Sequence, residues 1–203
     1  MPYSNVKIPF LSNEKIKEEA DLFRKKFWGD NVPVDIESIV DLKLQLYIIP
    51  IPNFLKDCNI DALISSDWKS ISVDKNEYED ERLHGRLRFS LAHEIGHFVL
   101  HKKIYSAFNI KCKNDYYKLY EFLPPIEYHY LEIQAGKFAN YFLVPRYTLL
   151  EERRKQINKK GNPDWFKSVD TKTLNSYIAI PLSKIFEVSE DVITIALSDL
   201  NNI

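Results

Sequence analysis

Cysteine is scarce. Cys58 and Cys112 are the two thiols among 203 residues, too few for the disulfide framework of a secreted scaffold. An excess of one charge is missing too. Lys and Arg number 28 against 29 Asp and Glu, a formal net charge of -1, whereas a dedicated nucleic-acid binder usually carries a basic excess to neutralise phosphate. Long apolar runs are also lacking. The opening MPYSNVKIPFLSNEK is broken by Lys7 and Pro9, short of a signal peptide's apolar stretch, and no window approaches the roughly 18 apolar residues of a spanning helix. The closing SDLNNI carries no lipidation box, so the cytoplasm is the expected compartment. What is present is ordinary for a packed globular chain: 45% hydrophobic and 28% charged residues. With no repeat, low-complexity linker or break in composition, one domain over residues 1–203 is expected, with a helical C-terminal part from about 165 to 203.

Hydrophobic spacing predicts a first helix from Asn13 to Trp28, with Ile16, Ala20, Phe23 and Phe27 on one face and Gly29 as its stop. A short helix from Val34 to about Val40 precedes LKLQLYIIP, Leu42 to Pro50, which reads as a strand. Asp61 to Asp67 and Lys69 to Lys75 read as a hairpin, and the acidic run 74–81 as a solvated loop. Leu83 to Lys103 is a strong helix candidate, and residues 104–125 are less regular and aromatic. A long helix from about Ile126 towards Lys155 is open to a break at Pro145. Its basic end, Arg153, Arg154, Lys155, Lys159 and Lys160 before Gly161, suits a solvated helix C-terminus. Helices at about Pro181 to Phe186 and Ser189 to Leu200 close the chain.

Four of the five histidines, His84, His93, His97 and His101, fall within eighteen residues. Two of them frame His93-Glu94-Ile95-Gly96-His97. Side chains at i and i+4 share one helix face about one turn apart, so both imidazoles can converge on one zinc ion. Glu94 is rotated just off that axis, where its carboxylate can act as a general base towards water beside the metal. The motif is embedded in LAHEIGHFVL, an otherwise apolar helix in which a metal-free glutamate between two histidines would be costly to bury. His101 cannot complete the set: i to i+8 on a continuous helix spans about 12 Å. A metzincin-like turn would need glycine where Phe98-Val99-Leu100 stands. His101 is therefore expected to be structural or to support a ligand.

A better third donor is Glu132 in YLEIQAGKFANYFLVP. It shares a face with Ala135, Gly136, Ala139 and Leu143, and the small residues let another helix approach while the carboxylate reaches across. The alternatives are a glutamate facing solvent at the edge of that stripe, and His129 as a rival ligand.

The blocks RFSLAHEIGHFVLH, Arg88 to His101, and EIQAGKFANYFLVP, Glu132 to Pro145, resemble the ImmA/IrrE family of metallopeptidases. The pattern there is RFTLAHELGHLLLH followed by an E-x-E-A-N-x-F-A helix ending in LMP. The likeness extends upstream to VPVDIESIV and SISVD and downstream to LSKIFEVSEDVITIAL, covering roughly residues 13 to 200. It implies an α+β, zincin-like fold: a small twisted sheet packed on the HExxH helix, a second helix bearing a ligand, and a helical tail. It implies Zn²⁺ held by His93, His97 and Glu132, with Glu94 as catalytic base. Two positions depart from the pattern. Gln134 replaces the commoner glutamate and is expected on the outer face. Gly136 replaces asparagine, whose supporting role Asn140 is placed to take one turn further on.

The expected activity is zinc-dependent hydrolysis of peptide bonds. Tyr128, Tyr130, Tyr141, Tyr147 and His129 are all chemically able to stabilise the oxyanion, and substrate backbone is expected to add to a sheet edge at residues 69–74. The aromatic segment 104–125 is a candidate lining or lid for the cleft. By resemblance, the substrate is a helix-turn-helix transcriptional repressor of mobile-element or stress genes. The chain's own LSKIFEVSEDVITIAL resembles a helix-turn-helix, but its second helix carries Glu190, Asp191 and Asp199 and no basic residue, so it is not expected to meet phosphate. The rival reading is a non-catalytic, zinc-containing interaction module, a toxin–antitoxin-like partner, for which an intact Glu94 would have no use.

Overall fold

A computed structural model describes residues 5–159 and 169–200. The architecture is α+β, with a three-stranded sheet among mostly helical elements. Helix α1, Asn13–Phe27, starts where the Ser12 side chain accepts from Lys15 N, and ends before Gly29 at a φ of 92°. Ile16 and Ala20 seat it on the core. A short helix α2, Ile36–Ser38, runs into a wider turn at Ile39–Lys43, closed by Leu44 N donating to Ile39 O. This turn takes the first residues of the stretch expected as strand. Gln45, at a φ of 56°, then reverses the chain into β1, Tyr47–Ile51.

Helix α3, Phe54–Cys58, leads into β2, Ala62–Ile64, which turns back into β3, Ser70–Asp74. Those two strands form the predicted hairpin, antiparallel with Ile64 opposite Ile71. The strand order is β1-β3-β2, and β1 runs parallel to β3 with Tyr47 opposite Ser70. Residues 70–74 are therefore the central strand. They have no free edge for a substrate, contrary to expectation; the parallel partner β1 claims it. Ile71 and Val73 are fully buried, as a central strand covered by helices requires.

The acidic run departs from expectation as well. Asp74 caps helix α4, Lys75–Glu79, and Glu77 is 2% exposed. Arg86 Nε lies 2.7 Å from Glu77 Oε1, yet neither Glu77 oxygen accepts a well-aligned hydrogen bond. Burial, with the Asp61 charge adding to it against Arg86, pushes the Glu77 carboxyl up to about 8. The folded chain then holds a proton there that the unfolded chain releases near the ordinary value of 4.5. The stability that this group contributes is complete below the lower value, falls as pH rises between the two and is gone above the upper one. Glu77→Gln should remove that decline, so thermal melts at pH 5 and pH 8 should show the variant gaining a few degrees on the wild type only at the higher pH. Parallel trends in the two proteins would refute the assignment.

Helix α5, His84–Leu100, lies between the sheet and α8, Pro125–Leu143. Arg88 is buried in its second turn and holds three parts together, donating to Val34 O at 2.7 Å and Glu187 O at 3.0 Å. The aromatic segment forms two short helices, α6, Lys102–Phe108, and α7, Lys113–Phe122. Pro145 separates α8 from α9, Arg146–Lys159, as its missing N–H dictates. Helix α10, Thr171–Phe186, starts ten residues earlier than its predicted start at Pro181, which it contains, and α11 spans Glu190–Leu200. Lys160, Gly161, and both the start and the end of the expected C-terminal part, lie outside the described residues. Among the described residues no helix is long and apolar enough to cross a membrane.

Candidate metal centre

Helix α5 presents His93 and His97 one turn apart, with their Nε2 atoms 3.1 Å from each other. Helix α8 brings Glu132 to the same point: Oε2 is 3.2 Å from His93 Nε2 and Oε1 is 3.7 Å from His97 Nε2. Four donors about 2.0–2.1 Å from a tetrahedral zinc stand roughly 3.3 Å from one another, so the spacing of the two ring nitrogens and of Oε2 from His93 suits the ion, with the second Glu132 oxygen somewhat farther from His97. The close approach of the helices makes it possible. A Cβ at Gly96 would come 3.0 Å from both Cα and O of Ala135, so the backbones touch where the sequence places its small residues.

Glu94 lies beside the triangle, 5% exposed, with a carboxylate oxygen within 4.8 Å of a ring nitrogen of both His93 and His97. Its Oε2 accepts from Ile64 N on β2 at 2.7 Å, which leaves Oε1 for other work. That hydrogen bond occupies one Glu94 oxygen, whereas both Glu132 oxygens face the ring nitrogens at 3.2 and 3.7 Å, which makes Glu132 the freer candidate for third donor. Burial raises the Glu94 carboxyl to about 7; the His93 charge opposes this and the Glu132 charge adds to it. A cation at the triangle would draw it down again. Burial also works against the charged form of His93, but its hydrogen bond and ion pair with Glu132 prevail and raise its pKa. His97 is held neutral by burial, helped by the charges of His93 and His101.

The cleft over these groups has a volume of about 240 Å³ and is lined by Ala62, Leu63, Phe89, Tyr105, Tyr116 and Tyr128 as well as the triangle. Tyr105 packs its ring 5.1 Å from that of His97. Tyr128 Oη and Tyr116 Oη are 2.5 Å apart, a phenol pair on the cleft wall. Among the tyrosines considered for the oxyanion, only Tyr128 lines this cleft: Tyr141 donates to Asp199, and Tyr147 is 74% exposed. His129 and Tyr130 are exposed on α8 and absent from its walls. Tyr116, from the aromatic segment, was the partner that residue spacing could not single out. A larger hollow of about 460 Å³ beside α1 is lined by Glu14, Lys17, Glu18, Asp21 and Lys25, solvated charges with no histidine or thiol among them.

Two expectations about supporting residues are corrected. Gln134 is 3% exposed rather than on an outer face, because the N-terminal segment lies along α8 there, with Ile8 N donating to Glu127 Oε2 and Gln134 Nε2 donating to Pro9 O. Asn140 faces away from the triangle and donates to Val192 O, tying α8 to α11. At Gly136 a Cβ would meet nothing closer than His93 Nδ1 at 4.0 Å, so a side chain there would grow towards that ligand.

A family model described as the IrrE N-terminal-like domain, of the M78 peptidases, matches residues 79–198. No curated protein matches the chain.

Proposed function

The chain belongs to peptidase family M78, the IrrE N-terminal-like peptidases, and on that footing we propose that it is a zinc-dependent endopeptidase. The observation that carries this reading is the triangle of His93, His97 and Glu132 donors, 3.1 to 3.7 Å apart, beside a buried carboxylate with one free oxygen. His93 Nε2, His97 Nε2 and a Glu132 oxygen would hold the ion. Bound there, zinc supplies a Lewis acid for the scissile carbonyl and acidifies water. Glu94 Oε1 takes the proton of the attacking water and delivers it to the departing amine nitrogen, while Ile64 N–H keeps Oε2 in place. Tyr128 is the donor assigned to the oxyanion. Burial, and after it the Glu132 charge, push its phenol up to about 12, so it keeps its proton at neutral pH, and Tyr116 fixes its direction.

A peptidase family implies a protein substrate. Within that class we assign a helix-turn-helix repressor, on the likeness described above and on a near-neutral charge of -1, which suits meeting a DNA-binding protein in the cytoplasm rather than DNA. The test pairs metal analysis with cleavage. Purified wild type should carry one zinc per chain and cut such a repressor. Chelation should stop cutting, and added zinc should restore it. Glu132→Ala should lower zinc affinity by more than the roughly 10–100-fold typical of losing an outer hydrogen-bonding partner. A repressor that is bound with zinc present and never cut would make the interaction module the correct reading.

A further inference from the structure

Behind the ligand pair, α5 ends on a third histidine. His101 is 1% exposed, and its Nδ1 lies 3.1 Å from Nδ1 of His97. Its Nε2 lies 2.9 Å from Gln134 Oε1, and Gln134 Nε2 lies 2.9 Å from the carbonyl oxygen of Pro9. The direction of this chain is set at its far end. A peptide carbonyl can only accept, so Gln134 must turn its NH₂ to Pro9 and its amide oxygen to His101. Facing an acceptor, His101 Nε2 must carry hydrogen. A neutral imidazole holds a single ring proton, so His101 Nδ1 is left as a lone pair. His97 Nδ1 must then be the donor between the two rings, and His97 Nε2 is left bare, aimed at His93 and Glu132.

We propose that the Pro9–Gln134–His101 chain selects the His97 tautomer able to bind a metal ion, which makes Gln134 and His101 positioning residues for the site. This rests on reading His97 as a ligand. The other tautomer would place a hydrogen where the ion must sit, so a molecule free to adopt both binds metal only from the competent fraction. The N-terminal segment thereby has a part in the site although it stands on the far side of α8 from the cleft.

The test reads the tautomer in metal-free protein and zinc affinity separately. In ¹⁵N-histidine-labelled wild type, His97 should show hydrogen on Nδ1 and none on Nε2. Gln134→Met keeps the volume and removes the acceptor; it should populate both forms of His97 and weaken zinc binding, measured by chelator competition, in proportion to the Nδ1–H fraction lost, by about twofold or more. His101→Gln can still accept from His97 and donate to Gln134, so it should retain both the Nδ1–H form and near-wild-type affinity. A purely structural role for the chain would not produce that rescue. Zinc bound tightly with His97 protonated on Nε2 in the metal-free wild type would overturn the proposal, as would a Gln134→Met protein with unchanged tautomer and affinity. An Nδ1–H wild type that binds no zinc would instead overturn the ligand assignment and leave the hydrogen-bond chain standing.

Discussion

Glu94→Gln should lower kcat by roughly 10²–10⁴-fold, the usual worth of a general base, while leaving zinc content and the melting temperature of the zinc-loaded protein close to wild type. The separation follows from the two oxygens. The glutamine carbonyl can accept from Ile64 N as Oε2 does now, so the contact between α5 and β2 survives. The amide then faces the cleft with no lone pair for a proton. Removing a buried carboxyl that burial already raises should also relieve the metal-free protein of a desolvation cost. Glu94→Ala is the contrasting variant: it leaves Ile64 N–H buried without an acceptor and should cost about 1–3 kcal/mol in stability. Rates in Glu94→Gln near wild type, with zinc bound, would remove Glu94 from its role.

The second large effect lies outside the chemistry. Gly96→Val should cost about 3 kcal/mol or more and lower Tm by roughly 6–12 °C, because the new side chain meets the backbone of Ala135 and has no flexible neighbour to displace. Helix α8 can only move away, and Glu132 moves with it, so zinc affinity should fall together with stability. The control is in the same helix. A Cβ at Gly85 would lie 3.6 Å from the nearest atoms of Val188 and Ser189, an ordinary contact, so Gly85→Ala should be neutral or stabilising by up to about 1 kcal/mol, as alanine is in most helices. Thermal melts of both variants, with and without zinc, decide it. An unchanged Tm in Gly96→Val would mean that the two helices are not in contact as described.

How much of this was legible in the sequence depended on range. His93 and His97 lie one helical turn apart with Glu94 just off their axis, so residue spacing alone sets the histidines' common face and puts the carboxylate beside it. Glu132 is on another helix, but Ala135 and Gly136 beside it advertised a close approach, and the structure brings Glu132 to His93 and His97 at that approach. The α+β class followed from the same two blocks. What could not be read locally was decided by distant partners. Gln134 looked outward until residues 5–12 were laid along α8. Glu77 looked solvated within DKNEYEDE until Arg86 and Asp61 closed over it. SISVD alternates as any strand does, and nothing in that alternation reveals that Tyr47–Ile51 will pair with it in parallel and take its outer edge.

The hydrogen bond from Ile64 to Glu94 also acts as a ruler. Alternation along β2 turns the polar backbone of Ala62 and Ile64 away from β3, and Glu94 already occupies the Ile64 N–H. A peptide adding to that edge is left with Ala62 and the Ile64 carbonyl, a stretch of about 7 Å. It would be indexed against the very strand that holds Glu94. The bond to be cut would then be counted in residues from the pair at Ala62, and side-chain pockets would choose which substrates enter without choosing where they break.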